Sequence, residues 1–134
     1  MKEKLFVVLC VLNAIGMYSL SVWGMIDPAS AMDMMTGLTK PWDAETLSLM
    51  RMHNGADFGV GTGFLLVAWK PKHSFAGFVL CVVGNIAHGL VHLVDECAGH
   101  HHPQNLIPLL VIFAWAIVLC LLYPWRESWQ AYKN

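Results

Sequence analysis

An unbroken apolar run from Leu5 to Ile26 is the feature that most constrains how this chain can fold. The run has 22 residues and no charged side chain. A helix that rises about 1.5 Å per residue crosses a hydrocarbon core of about 30 Å over that length. The run therefore predicts a membrane-spanning helix that ends at Asp27 and Pro28. A cleaved signal peptide is the alternative, because Ala29–Ala31 has the A-x-A form of a cleavage site, but the run exceeds the roughly 7–15 apolar residues of such signals.

Composition supports a membrane location for the whole chain. Of its 134 residues, 57% are hydrophobic and 13% are charged. A soluble domain carries roughly 25% charged residues, so this chain has too little polar surface to face water on all sides. The length allows one domain. The net charge of -1 gives no reason to expect nucleic acid as a partner.

Four membrane-spanning helices follow from the apolar segments and their end signals. The strictly apolar part of the second helix, Phe64–Trp69, is short, so a span of about 20 residues must also include polar residues that precede it. Asp27 and Pro28 predict the start of a short helix in the first outer connection, and Gly37 predicts its end. The expected fold is an all-α, integral membrane four-helix bundle with helices at 5–26, 44–69, 74–95 and 106–123 and outer loops at 27–43 and 96–105.

The distribution of basic residues predicts the orientation, because basic residues are enriched in cytoplasmic segments. Two basic residues, Lys40 and Arg51, fall in the outer half. Six fall on the other side, which makes both termini cytoplasmic (N-in/C-in). These six are Lys2, Lys4, Lys70, Lys72, Arg126 and Lys133. We expect the chain to lie in the cell membrane, as a multi-pass protein of the bacterial inner membrane.

Polar residues of the second and third predicted helices fall at matching depths. At about 1.5 Å per residue, Asp57 lies roughly 18 Å from the cytoplasmic end of its helix and His88 roughly 20 Å from the end of its own. On the same count His53 lies at roughly 24 Å and His92 at roughly 26 Å. Each helix carries its pair four residues apart, on one face. Since a charge at mid-bilayer costs about 2.5–3.5 kcal/mol, we expect the two faces to turn toward each other.

These side chains predict a metal or redox-cofactor site. Imidazole and carboxylate are ligands of zinc, iron and copper, and His88 and His92 lie on the same side of one helix, as two-histidine sites require. His53 and Asp57 are the expected ligands from the opposite helix. Asp95 is expected to ligate or to orient a ring. One of these histidines would also serve as an axial ligand of haem.

The second outer loop and its surroundings offer a secondary set of metal ligands. These candidates are Glu96, Cys97, His100, His101 and His102. Methionines on the same side of the membrane add thioethers, which are soft ligands that select Cu(I). They are Met32, Met34, Met35, Met50 and Met52. A copper-handling function follows from this set, although methionine also serves as a gap-filler in apolar cores.

Two stretches resemble DoxX-like small four-helix membrane proteins. In Arg51–Leu66 a polar start is followed by Gly59-x-Gly61-x-Gly63-Phe-Leu-Leu, and the third helix ends with His88-Gly-Leu-Val-His-Leu-Val-Asp95. The resemblance implies the four-helix membrane fold. It also implies a redox role, because some members are linked to quinone-coupled oxidation. The chain has no CxxC pair, which gives no support to a thiol–disulfide relay.

Three hypotheses of function remain at this stage. The first is a metal or redox-cofactor site open to the outer face, with no reaction assigned. The second is a non-catalytic accessory or scaffold subunit of a larger membrane complex. A purely structural role for the polar residues is also open, with His53 and His88 hydrogen-bonded across helices or Asp57 paired with Arg51. The third is a small proton-coupled transporter that uses His53 and Asp57 as a relay, and it requires a homo-oligomer because four helices enclose little space.

Overall fold

The structure is a computed structural model that describes residues 1–98 and 103–133 of the chain. Within these ranges it does not describe the side chains of Asp95, residues 103–105 and Pro108. All regular structure in the described ranges is helical. The helices are α1 (Lys2–Ile26), α2 (Pro28–Thr36), α3 (Ala44–Trp69), α4 (Phe75–Cys97), α5 (Pro103–Leu122) and α6 (Trp125–Lys133), with a short 3₁₀ turn at Pro71–His73 between α3 and α4.

The boundary between α1 and α2 follows from two adjacent residues. Pro28 disfavours a helical conformation at the residue before it, and Asp27 accordingly leaves the helix with φ -128° and ψ 74°. The Asp27 carboxylate then accepts a hydrogen bond from the backbone N–H of Ser30, which caps α2. Gly37 ends α2 in the left-handed conformation with φ 67°. The short helix predicted in the first outer connection is thus confirmed.

Asp43 starts α3. Its carboxylate accepts a hydrogen bond from the Thr46 backbone N–H at 2.7 Å and another from the Thr46 hydroxyl at 2.8 Å. These two bonds stabilise the ionised carboxylate, so the pKa of Asp43 lies below its ordinary value of 3.8. Both hydrogen bonds of the cap are therefore at full strength at every pH at which Asp43 is ionised.

We expect the first turn of α3 to loosen in acid. A carboxyl whose pKa is lower in the folded state stabilises it above the unfolded-state pKa, and this stabilisation is lost as the pH falls through the folded-state pKa. Hydrogen exchange should show less protection of the Thr46 amide below pH 3.8. Asp43→Asn retains an uncharged cap and should remove this pH dependence. Equal pH dependence in both proteins would contradict the assignment.

The second outer loop is shorter than the predicted range 96–105. The α4 helix continues through Glu96 to Cys97, and α5 begins at Pro103 rather than at residue 106. Proline is favoured at the first helical position, because its fixed φ suits a helix and its missing N–H would have no partner there. The sequence prediction started α5 at the first long apolar run and so missed this turn.

Two or three helices are long and apolar enough to cross a membrane, which indicates a membrane protein. In the described residues α1 and the Phe75–Val94 part of α4 meet this criterion singly. The Leu109–Leu122 part of α5 meets it together with α6, from which it is bent by 70°. The α3 helix does not meet it, because polar residues such as His53, Asn54 and Asp57 lower its mean hydropathy.

The four long helices contact one another in a closed order. The α1 helix packs along α3, α3 contacts α4, α4 packs along α5, and α5 contacts α1. Glycine allows two of these approaches. A Cβ at Gly61 of α3 would lie 3.3 Å from the Cβ of Met17 on α1, and one at Gly89 of α4 would lie 3.2 Å from Phe113 on α5. The described helices therefore form a bundle with a shared interior.

One end of this interior is filled by aromatic rings. Phe6, Phe64 and Phe78 are fully buried, and Phe78 stacks on Tyr123 with ring centroids 3.8 Å apart. The Tyr123 hydroxyl hydrogen-bonds with Ser128, which joins α6 to the same core. Close packing at this end leaves the open space of the bundle at the other end, where the polar residues of α3 and α4 lie.

Candidate metal centre

Asp57 connects two histidines that come from different helices. One of its carboxylate oxygens, Oδ2, lies 3.3 Å from Nε2 of His53, one turn earlier on α3. The other, Oδ1, lies 3.5 Å from Nδ1 of His88 on α4. One potential ligand atom from each of the three residues lies within 4.8 Å of the other two. The α3–α4 interface thus carries a compact group of two imidazoles and one carboxylate.

His92 extends this group by one turn of α4. Its Nε2 atom lies 3.2 Å from Nε2 of His88, and the two ring centroids are 5.1 Å apart. A hydrogen bond between two ring nitrogens requires that one carry the proton and the other accept it. Contacts therefore run from His53 through Asp57 and His88 to His92.

The ligand atoms of the group lie slightly farther apart than those around a bound transition-metal ion. The 3.3 and 3.5 Å contacts involve different oxygens of Asp57, and one ligand atom from each of the three residues lies within 4.8 Å of the other two. Ligands about 2.1 Å from a tetrahedral ion lie about 3.4 Å from one another, so the side chains would draw closer around an ion. Two histidines and one carboxylate are also a recurrent ligand set for such ions, with the remaining positions open to water or substrate.

A cavity of about 620 Å³ adjoins the group. Side chains from α1 to α5 line it, and most of its wall is apolar or methionine. His53, Asp57, His88 and His92 all face this space. The side chains of Asp57 and His88 are 21% and 24% exposed, so they are sheltered but reachable.

Two asparagines extend the polar part of the cavity wall. Asn54 is buried, and its side-chain N–H donates to the carbonyl of Met50 at 2.7 Å. It packs against Gly24 of α1, where a Cβ would overlap the Asn54 amide nitrogen. Asn85 is buried one turn before His88 on α4. The polar residues of α3 and α4 therefore converge on one region of the cavity.

No protein-family model matches the chain, and no curated protein or solved structure matches it either. The resemblance to DoxX-like proteins stays a prediction.

The predicted primary ligands are brought together in part. His53, Asp57 and His88 form the group, and His92 contacts it through His88. The Asp95 side chain lies outside the described part of the chain. Among residues 1–98 and 103–133, the ion-pair contacts of Asp57 are with the two histidines and not with Arg51.

The secondary candidates at the second outer loop do not join this group in the described residues. Glu96 is half-buried and Cys97 is exposed, both in the last turn of α4. His100, His101 and His102 lie outside the described residues. A metal site formed by this loop stays a prediction.

Sequence reasoning missed the contribution of α1 and α5 to the cavity wall. Asn13 and Met17 of α1 and Trp115 of α5 line the cavity, although both helices read as plain apolar spans. One signal was available, because Asn13 is the only amide side chain in the run from Leu5 to Ile26. The position of Trp115 follows from the rotation of α5 about its axis, which the sequence pattern does not specify.

Proposed function

We propose that this chain is a four-helix integral membrane protein that binds a transition-metal ion between α3 and α4. The ligands are His53, Asp57 and His88, and His92 supports them through His88. The helices α1, α3, α4 and α5 cross the inner membrane, and both termini lie in the cytoplasm.

The contact of one carboxylate with two imidazoles carries this proposal. Ionisable side chains inside a membrane protein are costly, so their convergence at one point is by default a sign of function. Asp57 contacts His53 within α3 and His88 across the helix interface. A metal ion would satisfy all three side chains at once, and the adjacent cavity gives it a route to the site.

The surface of α3 supports its place as a membrane span. Its 26 residues measure about 39 Å along the axis, more than the core of a bilayer. The cavity side of α3 carries the polar residues His53, Asn54 and Asp57. Large apolar side chains occupy the outer surface of the same helix, where lipid would cover them. They include Leu49, Met52, Phe58 and Leu66.

Contacts at the aromatic end of the bundle support the shared side of the two termini. Glu3 at the start of α1 forms an ion pair with Lys72 in the 3₁₀ turn at 3.3 Å. The C-terminal helix α6 also contacts this turn. The start of α1, the 3₁₀ turn and α6 each carry basic residues, and they meet at one end of the bundle. This agrees with a cytoplasmic location of that end, because basic residues are enriched in cytoplasmic segments.

Metal titration of the purified protein tests the proposal. In detergent without chelators, we expect the chain to bind about one metal ion with the histidine–carboxylate set. Asp57→Asn keeps the shape of the side chain but removes its charge, and should lower the affinity at least about 10-fold. Asp43→Asn is the matched control, because the Asp43 carboxylate caps the start of α3 and is not in the group, and asparagine retains the cap.

Two results would refute the metal site. One is no binding of zinc, cobalt, iron or copper to the folded wild-type protein. The other is equal affinity in the Asp57→Asn and Asp43→Asn variants. Folding of each protein is checked by circular dichroism and gel filtration in the same detergent.

A further inference from the structure

Methionine is concentrated around the cavity. Five of the eight methionines of the chain line it. They come from three helices and are Met17 of α1, Met32, Met34 and Met35 of α2, and Met50 of α3. Met52 lies two residues after Met50 but is 70% exposed and is not part of the wall. The cavity wall is thus rich in thioether sulfur beside the His–Asp group.

The short helix α2 brings three of these methionines to the cavity. It contacts both α1 and α3, and its ends are held by the Asp27 cap and by Gly37. The Asp33 carboxylate accepts a hydrogen bond from the Trp42 indole N–H at 2.7 Å, which ties α2 to the segment that leads into α3. A helix of nine residues anchored in this way presents its methionines as a fixed part of the wall.

Met50 links the thioethers to the His–Asp group. It lies three residues before His53 on α3, so the two side chains share one helix face. Asn54, on the same face, donates to the Met50 carbonyl and is buried against α1. Soft sulfur ligands therefore lead along the cavity to the nitrogen and oxygen ligands of the site.

Charge favours a monovalent ion at this place. Thioethers and neutral imidazoles carry no charge, and among the described side chains the group contains a single carboxylate, Asp57. A monovalent cation bound to it gives a neutral complex, whereas a divalent ion leaves one uncompensated charge in an apolar setting. Among transition metals, thioethers select Cu(I).

We propose that the ion of this site is Cu(I), and that thioethers among Met32, Met34, Met35 and Met50 bind it together with the group of His53, Asp57 and His88. This inference rests on the proposed function, since it names the metal and extends the ligand set of the same site. Binding involves no change of oxidation state. Cu(I) exchanges the ligands of its carrier for sulfur and nitrogen ligands of the chain.

Competition titrations with Cu(I) and Zn(II) test the inference. The protein is titrated in deoxygenated buffer with ascorbate, against a colorimetric Cu(I) chelator. We compare the wild type with Met32→Leu/Met34→Leu/Met35→Leu, in which leucine keeps a similar volume and removes the sulfur. We expect the triple variant to lose at least about 10-fold in Cu(I) affinity with unchanged Zn(II) affinity. Met52→Leu is the matched control and should bind Cu(I) like the wild type.

A spectroscopic measurement and a second variant keep the test decisive if the triple variant misfolds. Copper K-edge absorption of the loaded wild type should show sulfur neighbours, and Met50→Leu should reduce them. Copper with nitrogen and oxygen neighbours alone would overturn the inference, as would wild-type Cu(I) affinity in both methionine variants or tighter binding of Zn(II) than of Cu(I).

The two proposals fail in different ways. Zn(II) or Co(II) binding that depends on Asp57, together with no effect of the methionine variants on Cu(I), overturns the copper inference and leaves the metal site in place. Absence of binding for all of these ions overturns both.

Discussion

His88→Ala should abolish metal binding while the protein still folds. His88 is the residue of the group that α4 supplies, and it contacts both Asp57 and His92, at 3.5 and 3.2 Å. Its removal deletes one ligand and separates His92 from the other two. We expect the affinity to fall by at least about 100-fold, the upper end of what the loss of even a supporting residue costs at a metal site. Metal-to-protein ratios after dialysis measure this loss.

His73→Ala is the matched control for this prediction. His73 is an exposed histidine of the 3₁₀ turn between α3 and α4, at the opposite end of α4 from the site. It should leave the metal-to-protein ratio unchanged. If His88 serves only as a hydrogen-bonding residue between helices, His88→Ala lowers the thermal unfolding temperature but leaves metal content as it was. That combination would contradict the metal site.

Phe78→Ala should give the largest loss of stability in the described part of the chain. Phe78 is fully buried, stacks on Tyr123 and meets the edge of the Phe6 ring at a centroid distance of 5.6 Å. Truncation of a buried phenylalanine costs about 3–5 kcal/mol in soluble proteins. Lipid is as apolar as the core, so packing rather than transfer from water dominates here, and we expect about 3 kcal/mol.

Unfolding by titration with a denaturing detergent measures this change. Leu80→Ala on the same helix is the control, because Leu80 is 72% exposed and its truncation leaves no internal void. Phe78 precedes His88 by ten residues, or roughly 15 Å along α4. Folded Phe78→Ala protein should therefore bind metal like the wild type. Equal stability of the two variants would refute the role of Phe78 in the core.

The ends of the helices were readable from the sequence because they depend on neighbouring residues. Asp27 and Pro28 end α1 and begin α2, and Pro71 follows the end of α3, while the Asp43 cap of α3 is a local signal that our sequence prediction did not use. In each case a side chain within three residues supplies or blocks a backbone hydrogen bond. The start of α5 at Pro103 was missed because the pattern of apolar residues outweighed the local signal of the proline.

The α3 helix shows what a mean hydropathy leaves out. Polar residues on one face lower the mean hydropathy of the whole helix. For this reason α3 is not among the helices that are apolar enough by mean hydropathy to cross a membrane. In the structure His53, Asn54 and Asp57 face the cavity while apolar residues of the same helix face outward. The mean hydropathy of a helix does not distinguish its polar face from its apolar face, whereas its contacts with neighbouring helices do.

The sequence by itself determined the all-α class, most helix ends and the shared faces of His53 with Asp57 and of His88 with His92, because each depends on contacts within a few residues. Only the tertiary structure decided that the two oxygens of Asp57 contact different histidines. It alone also decided that methionines of α1, α2 and α3 line the same cavity. These contacts depend on the rotation of each helix about its axis and on its distance from its neighbours, and the packing of the whole bundle sets both.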